Sequence, residues 1–375
     1  MKILIIRSYP SLVNLKSNSY NQQEIGLASA FLAQGHEVGI VYFGGDNHSD
    51  EKYQSANGII NVYYRKAKVI LGKIALYEDF DDLKDRYELL VLNEYDQFET
   101  AKTLKKYAKK CIIYHGPYFA EFNKRYNMYN KLYDILYKKR IKKSAPIIFT
   151  KSKLAMEFLT QKGLKVTDFL GVGLDTNQLK QTVESVNPFE QSFNKENKYL
   201  LYVGRLEERR NTIFLLKCLK KLTDISDNYR LVVVGDGSEE YKRQVFEYIQ
   251  ENQLSDYVVY KERLEQKQLP YVYKHSDMFL LPTSYEIWGM VLMEAMLYNI
   301  PVITTYNGGS SSLIENDING KIIDEFDIQK WVESILKADY DIKKLSDFNK
   351  HIIEQKCDWK YIAERMIKAF VEERK

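Results

Sequence analysis

Two glutamates with seven residues between them, Glu286 and Glu294, lie in the stretch Pro282-Thr-Ser-Tyr-Glu-Ile-Trp-Gly-Met-Val-Leu-Met-Glu-Ala-Met296, which follows an apolar strand and runs into an apolar helix. Glu286 falls in the loop. Gly289 lets the backbone approach a ligand closely, and the N–H groups of the helix it opens, near Met290 and Val291, suit a phosphate. Glu294 is the one polar residue from Met290 to Leu297, so the helix is expected to be buried on all sides and the carboxylate to need a partner. Two partners fit. A ribose diol offers two hydroxyl donors to one carboxylate while Glu286 accepts from sugar hydroxyls; alternatively Glu294 pairs with a buried basic residue and Glu286 is solvated. The residue types leave both open.

A second constellation is Tyr199-Leu-Leu-Tyr-Val-Gly204-Arg205-Leu-Glu-Glu-Arg209-Arg210-Asn211, a strand that ends in Gly and Arg. Ligands of parallel sheets bind beyond the carboxyl ends of strands. Arg205 and Arg210 have the charge and bidentate geometry to neutralise a diphosphate leaving group, although loop arginines are commonly just solvated. Gly235-Asp-Gly237 follows a strand without the third glycine of the dinucleotide fingerprint, so a nicotinamide cofactor is not indicated. His115, in Tyr114-His-Gly-Pro117, is either a structural imidazole or a group facing a ligand. Asp79-Phe-Asp81 has the form of a paired-aspartate metal site, but beside Glu78 and Asp82 it reads as a solvated acidic loop or helix start.

The elements that must position these groups alternate. Met1 to Ile6 reads as a buried strand, Glu24 to Gln34 as a helix ended by Gly35, and Val38 to Phe43, Leu89 to Leu92, Cys111 to Tyr114 and Ile147 to Phe149 as further strands. After a polar stretch from Thr176 to Lys198, read as containing the interdomain linker, a second series runs through Tyr199 to Val203, Leu231 to Val234, Tyr257 to Tyr260, Met278 to Leu281, Val302 to Thr304 and Lys321 to Ile323. Short apolar strands alternating with helices predict parallel, doubly wound sheets. A chain of 375 residues is long enough for two such domains. The reading is an α/β protein of two Rossmann-like domains, residues 1–180 and 195–355, with a cleft between them.

Composition excludes several classes. The chain is 45% hydrophobic and 28% charged, as expected of a folded globular protein. Its three cysteines, Cys111, Cys218 and Cys357, are far apart and suggest neither a disulfide framework nor a metal cluster. No apolar run reaches the roughly 18 residues of a membrane span, and Ile3 to Ile6 is too short for a signal peptide; a cytoplasmic location is expected. The net charge of +4 is unevenly placed: residues 101–143 carry thirteen Lys or Arg against Glu121 and Asp134, a balance of +11 that leaves −7 elsewhere.

These residues resemble those of retaining glycosyltransferases of the GT-B fold, specifically family 4, the glycosyl transferases group 1. Glu286 and Glu294 match that family's glutamate pair, and Gly204-Arg205 with Arg210 resembles its Gly-Arg-…-Lys motif, arginine standing where lysine is usual. Asn307-Gly-Gly309, Leu313-Ile314 and Gly320 are similar to the donor-domain segment after Pro301-Val-Ile303. Asp358-Trp359 resembles the start of that family's C-terminal helix, here 356–375, which by the resemblance crosses back to the first domain, and Gly35-His-Glu-Val38 and Gly171-Val-Gly-Leu-Asp175 resemble the signatures of the first domain. The resemblance implies that Glu294 holds a ribose, Glu286 the transferred sugar, and Arg205 and Arg210 the diphosphate of a nucleotide-sugar donor, with UDP as the expected nucleotide. Gly204, Gly235, Arg263, Leu264, Gly289, Met290 and Val291 would complete the donor side, and His115 would line the reaction centre. On the acceptor side it implies Tyr9, Glu24 and Tyr118, beside a polar segment, Ser11 to Gln23, that replaces the family's glycine-rich loop. It further implies metal-independent transfer with retention, without a cofactor, to a glycan or lipid-linked acceptor in cell-surface polysaccharide or glycoconjugate synthesis. A catalytically silent partner or chaperone subunit and a nucleotide-sugar epimerase are the competing readings.

The basic stretch adds a surface. Phe119, Phe122, Tyr126, Tyr129, Tyr133, Leu136 and Ile141 recur at near-helical spacing, with Lys124, Arg125, Lys131, Lys138, Lys139, Arg140, Lys142 and Lys143 on the remaining surface. One reading is a core-facing stripe with a solvated basic back. The other is that residues 102–143 dock on an anionic membrane, placing the protein on the inner face of the plasma membrane; no motif that reads nucleic acid accompanies the charge.

Overall fold

A computed structural model describes residues 1–15, 22–70, 74–174, 186–189 and 193–374. The chain divides into two compact units, Met1–Asp175 with Lys356–Lys375, and Thr176–Gln355. Most of the polar stretch expected to hold the linker, part of the Ser11 to Gln23 loop and Asp175 of the Gly171 motif lie outside the described residues.

The first unit is built on the strands β1 (Lys2–Arg7), β2 (Glu37–Phe43), β3 (Ser49–Ser55), β4 (Gly58–Arg65), β7 (Leu89–Asn93), β8 (Cys111–His115), β9 (Ile147–Thr150) and β10 (Asp168–Phe169), while β5 (Ala67–Ile70) and β6 (Ile74–Tyr77) form a separate antiparallel pair. The order across the large sheet is β10-β9-β8-β7-β1-β2-β4-β3. Every neighbouring pair is parallel except β3 with β4. The central strands are Ile, Leu and Val runs without exposure, Ile3 to Ile6 for example, because helices cover both faces of a parallel sheet. β3, Ser-Asp-Glu-Lys-Tyr-Gln-Ser, is nearly all exposed. It is an edge strand whose charges discourage further pairing, and having no apolar face it gives no periodic signal in the sequence.

The first helix, Gln23–Ala33, stops before Gly35, whose φ of +79° closes it. The C-terminal helix, Trp359–Glu372, is capped by Asp358, whose carboxylate accepts from the Lys360 N–H. It packs on the first helix with the Trp359 ring over Gly26 and Gly173, where an added Cβ would meet that ring at 2.2 Å. Glycine at both positions is the space the indole occupies.

The basic segment forms a helix Lys124–Tyr133, a π turn Asp134–Lys138 and a helix Lys139–Ser144. The expected aromatic stripe is corrected here. Tyr133 and Ile141 are buried and Tyr126, Tyr129 and Tyr137 half-buried, but Phe119, Phe122 and Leu136 are exposed. The wider π turn shifts the phase, so that the buried line runs Tyr129, Tyr133, Tyr137, Ile141.

The second unit holds β11 (Lys198–Val203), β12 (Tyr229–Val234), β13 (Val258–Lys261), β14 (Met278–Leu281), β15 (Val302–Thr304) and β16 (Gly320–Ile322), in the order β13-β12-β11-β14-β15-β16 and parallel throughout. Strand order reverses between β11 and β14, so the loops after β11, β12 and β14 emerge side by side at the carboxyl edge, the place where such sheets hold ligands.

Candidate functional site

At the carboxyl edge of the second sheet, Gly204 N donates to Val234 O at 3.0 Å and Leu206 N to Asp236 O at 2.8 Å. A Cβ on Gly235 would stand 1.8 Å from Gly204 O, and one on Gly237 2.0 Å from Leu206 O. The two loops therefore lie backbone on backbone, and only glycine permits it. Arg263 and Leu264 follow β13, next to Gly235, whose N–H donates to Lys261 O at 2.9 Å.

Arg209 and Arg210 end a short helical turn, Glu208–Arg210, closed by Asn211 at φ +53°. The Asn211 amide donates to Pro282 O at 3.0 Å and Ser284 Oγ at 2.9 Å, and Arg209 donates to Tyr285 O, so the arginine turn is tied to the loop after β14. Within it Arg210 Nη1 lies 2.5 Å and Arg209 Nη1 3.8 Å from Glu286 Oε2. Arg210 Nε and Nη1 are buried without an aligned hydrogen-bond partner among the described residues. Arg205 is exposed and makes no ion pair among them.

Glu286 O accepts from Gly308 N at 2.9 Å. Gly308 and Gly309 rest on the carbonyls of Ile287 and Trp288, which a Cβ would meet at 2.1 and 1.6 Å. That packing fixes the loop from which Gly289, at φ +78°, opens the helix Met290–Leu297. Leu292 to Met296 are buried and Met290 and Val291 half-buried. Glu294 is 4% exposed and finds a partner that sequence reasoning had not considered: the buried Tyr273 hydroxyl donates to its Oε2 at 2.7 Å. Burial pushes the Glu294 carboxyl up to about 8. A surface cavity of about 740 Å³ beside the arginine turn is lined by Glu207, Glu208 and Glu240, and those carboxylates disfavour a diphosphate there.

At the carboxyl edge of the first sheet, Arg7 of β1 lies 3.5 Å from Glu24, and Asn93 of β7 donates to Glu24 at 2.8 Å. Tyr9 stacks with the Arg7 guanidinium at 5.4 Å; Tyr118 is buried. His115 ends β8 with no exposure and stacks on Phe158. Its Nδ1 is 3.0 Å from Glu94 Oε2, and its Nε2 is buried without a hydrogen-bond partner among the described residues.

Glu94 and Lys151 were not singled out from sequence. Glu94 is 1% exposed at φ +72° and accepts from Gly116 N at 2.6 Å and Lys151 Nζ at 2.8 Å. Burial raises its pKa, but Lys151 and His115 outweigh that and hold it at about 2. The one available signal was a glutamate directly after an apolar strand, Leu89 to Asn93. Asp81 is taken up by Lys84 at 3.1 Å and Lys106 at 3.2 Å, and Asp79 faces Lys102 at 3.6 Å. The acidic pair is thus a lysine-bound helix start, Asp81–Asp85.

Each unit, a parallel sheet with helices, is of the kind that builds the GT-B fold. The sucrose-phosphate synthase of Thermosynechococcus elongatus superimposes with a TM-score of 0.72 at 17% identity over 99% of this chain and 98% of its own. The HepE protein of Anabaena, solved with UDP-glucose, superimposes with 0.66 at 16% identity over 99% and 100%. Residues 184–355 match the family model described as glycosyl transferases group 1. An uncharacterized 41.2 kDa protein from the cps region of Klebsiella pneumoniae is 29% identical over 47% of this chain and 45% of its own length. The Campylobacter jejuni α-1,4-N-acetyl-D-galactosaminyltransferase that acts on a GalNAc-containing undecaprenol diphosphate glycan is 28% identical over 49% and 50%. The chain thus spans about half the length of these curated relatives. The fold is the GT-B fold that these solved structures share.

Proposed function

We propose that this protein is a retaining glycosyltransferase that moves a hexose or N-acetylhexosamine from a UDP-sugar to a glycan or lipid-linked acceptor in polysaccharide or glycoconjugate synthesis. The observation that carries the reading is the cation set at the edge of the second sheet. Arg205 is exposed and Arg210 is buried with unaligned N–H groups, and Arg210 reaches, at Glu286, the loop that leads into a glycine-opened helix N-terminus, features suited to a diphosphate. In this reading Arg205, Arg210 and the backbone near Met290 and Val291 hold the diphosphate, Gly204, Gly235, Arg263 and Leu264 border the nucleotide, Glu294 takes the ribose, and Glu286 the sugar. His115 lines the reaction centre, and Tyr9, Glu24 and Tyr118 the acceptor side. The bond from the anomeric carbon to the diphosphate breaks as the bond to the acceptor oxygen forms on the same face, and the departing phosphate takes the acceptor's proton. Fixed cations and helix N–H groups stabilise the developing charge, so neither a covalent nucleophile nor a metal is required. Calorimetric titration with a panel of UDP- and GDP-sugars, followed by product analysis, tests this: binding of none of them removes the reading.

The reading also puts the protein on an anionic membrane through residues 102–143. No helix among the described residues is long and apolar enough to cross a membrane, so the contact would be peripheral. It is supported by four exposed apolar side chains on one helical face, Met128, Leu132, Ile135 and Leu136, at 71, 58, 81 and 55% exposure. Exposed Lys124, Arg125, Lys131, Lys139 and Arg140 lie among them. Asp134, one of the two acidic residues in the stretch, is turned inward to Lys162 at 2.6 Å and the Tyr95 hydroxyl at 2.8 Å, which leaves the outer face cationic and apolar, as an in-plane membrane helix requires.

A further inference from the structure

Glu294 is a buried carboxyl with too few donors. Of the two partners that its sequence setting leaves open, a buried basic residue and a ligand diol, the first is not there: no cation acts on Glu294 among the described residues, and burial alone raises its pKa. Its one side-chain hydrogen bond among them comes from Tyr273, whose hydroxyl donates to Oε2 at 2.7 Å. A single neutral hydroxyl does not offset the burial of a carboxylate, which can accept at both oxygens. Oε1 accepts nothing among the described residues, yet unlike the Tyr298 hydroxyl it is not shut off from solvent. Glu294 keeps 4% exposure where Tyr273 has none. Oε1 is thus the oxygen left for a ligand.

Tyr273 is held firmly enough to fix the other oxygen. Its ring stacks on Tyr298 at 5.3 Å and 14° and packs tilted against Phe279 at 6.1 Å. Tyr298 ends the helix that carries Glu294, and its N–H donates to Glu294 O at 3.2 Å. Burial keeps the Tyr273 hydroxyl well above its ordinary pKa, so it remains a donor. Tyr273 lies on the helix Leu269–Lys274, which is started by the capping box of Glu265 and Gln268 and has Pro270 in its first turn. That segment follows directly on Arg263 and Leu264, which border the nucleotide in the reading above. A phenylalanine would fill the same space, and the hydroxyl makes one hydrogen bond among the described residues, the one to Glu294.

We infer that Tyr273 is a positioning residue for nucleotide binding: by holding Glu294 at Oε2 it leaves Oε1 to accept from the 2′ and 3′ hydroxyls of a ribose. This rests on the nucleotide-sugar reading for the identity of the ligand. One carboxylate oxygen has the lone pairs to take both hydroxyls, and their donation favours the ionised form. Calorimetry on the whole chain, at a pH above the raised value of about 8 so that Glu294 starts ionised, compares UDP and GDP with their 2′,3′-dideoxy forms. Wild type is expected to bind the nucleotide about tenfold or more tightly than its dideoxy form. Tyr273→Phe should lose about tenfold for the nucleotide, the scale of one hydrogen bond to a charged group, and nothing for the dideoxy form. Equal losses for both make Tyr273 a packing residue only, and unchanged nucleotide binding removes it from the site. In the transfer assay the same variant should raise the donor KM by about tenfold with kcat little changed, the mark of a contact made equally before and during reaction. If Tyr273→Phe does not fold, Glu294→Gln, which buries no charge, carries the test. There Tyr273 should hold the amide oxygen and leave the NH2 to the ribose, so adding Tyr273→Phe frees the amide to turn and should increase the preference for the nucleotide over its dideoxy form. Equal preference in the single and double variants overturns the positioning role. Wild type that binds UDP or GDP no better than the dideoxy form overturns the inference but not the nucleotide-sugar reading, whereas binding of neither nucleotide overturns both.

Discussion

Arg210 Nη1 lies 2.5 Å from Glu286 Oε2. Two side chains that sequence assigns separately, one to a diphosphate and one to a sugar, are thus joined across the loops after β11 and β14, and Arg209 approaches the same oxygen at 3.8 Å. The pair holds a carboxylate and a cation together in a half-buried place, so both groups are oriented by each other and by the two loops.

Glu286→Ala and Arg205→Ala should each lower kcat/KM for transfer by about a hundredfold or more, the scale expected when one stabilising contact to developing charge is removed. Neither should change the far-ultraviolet circular dichroism, since Arg205 is exposed and Glu286 stands in a loop. Near wild-type transfer with saturating donor would falsify the assignment of these residues.

Glu294 gives a pH signature. Its folded pKa is raised to about 8 by burial, against about 4.3 in an unfolded chain, so the unfolded state releases the proton first as pH rises. The stability tied to the protonated group is complete below about pH 4 and drains away up to about pH 8. Melting temperatures of wild type should therefore fall more steeply from pH 5 to 8 than those of Glu294→Gln. Parallel curves would mean that the carboxyl is not held neutral. Glu294→Ala should separately weaken UDP binding by about tenfold, read by calorimetry, in line with the loss of a charged hydrogen-bond acceptor.

The stacked glycines make a stability prediction independent of function. Gly235→Ala drives a methyl to within 1.8 Å of Gly204 O, a backbone atom that cannot swing aside, and should cost at least ~1–3 kcal/mol by the scale of overpacking. Gly35→Ala meets nothing within 4 Å and carries the left-handed backbone penalty alone, ~1–2 kcal/mol. Urea denaturation of the two variants should rank them in that order, and equal losses would contradict the close loop contact.

Transfer should survive EDTA, because the cations expected to meet the diphosphate belong to the chain. A strict need for a divalent ion would return attention to Asp79 and Asp81, now bound by lysines.

Binding to vesicles rich in anionic lipid should be salt-sensitive and should weaken when Lys138, Lys139 and Arg140 become Ser, each cation near the surface contributing about 1 kcal/mol. Ile135→Ser should weaken it as well without affecting the fold, since Ile135 is 81% exposed. Sedimentation that shows no binding at low salt leaves the face without a membrane partner.

Sequence alone determined a good deal of this protein, for a physical reason: a strand buried on both faces must be written in Ile, Leu and Val, so Ile3 to Ile6 and Leu231 to Val234 announce themselves, and backbone-on-backbone loops must be written in glycine. The glutamate pair, the arginines after β11 and His115 could be singled out by residue type and by their place after apolar strands or in an apolar helix, but type and place left a structural or solvated role open for each. Only the tertiary structure decided what those groups touch. β3 was hidden because an exposed edge strand needs no apolar face. The phase of the basic helix depended on a π turn, which places Ile135 and Leu136 outward and Tyr137 inward. Tyr273, Glu94 and Lys151 reach Glu294 and His115 from distant parts of the chain, and hydrogen bonds between residues 21 or 57 positions apart leave no periodic trace in a single sequence.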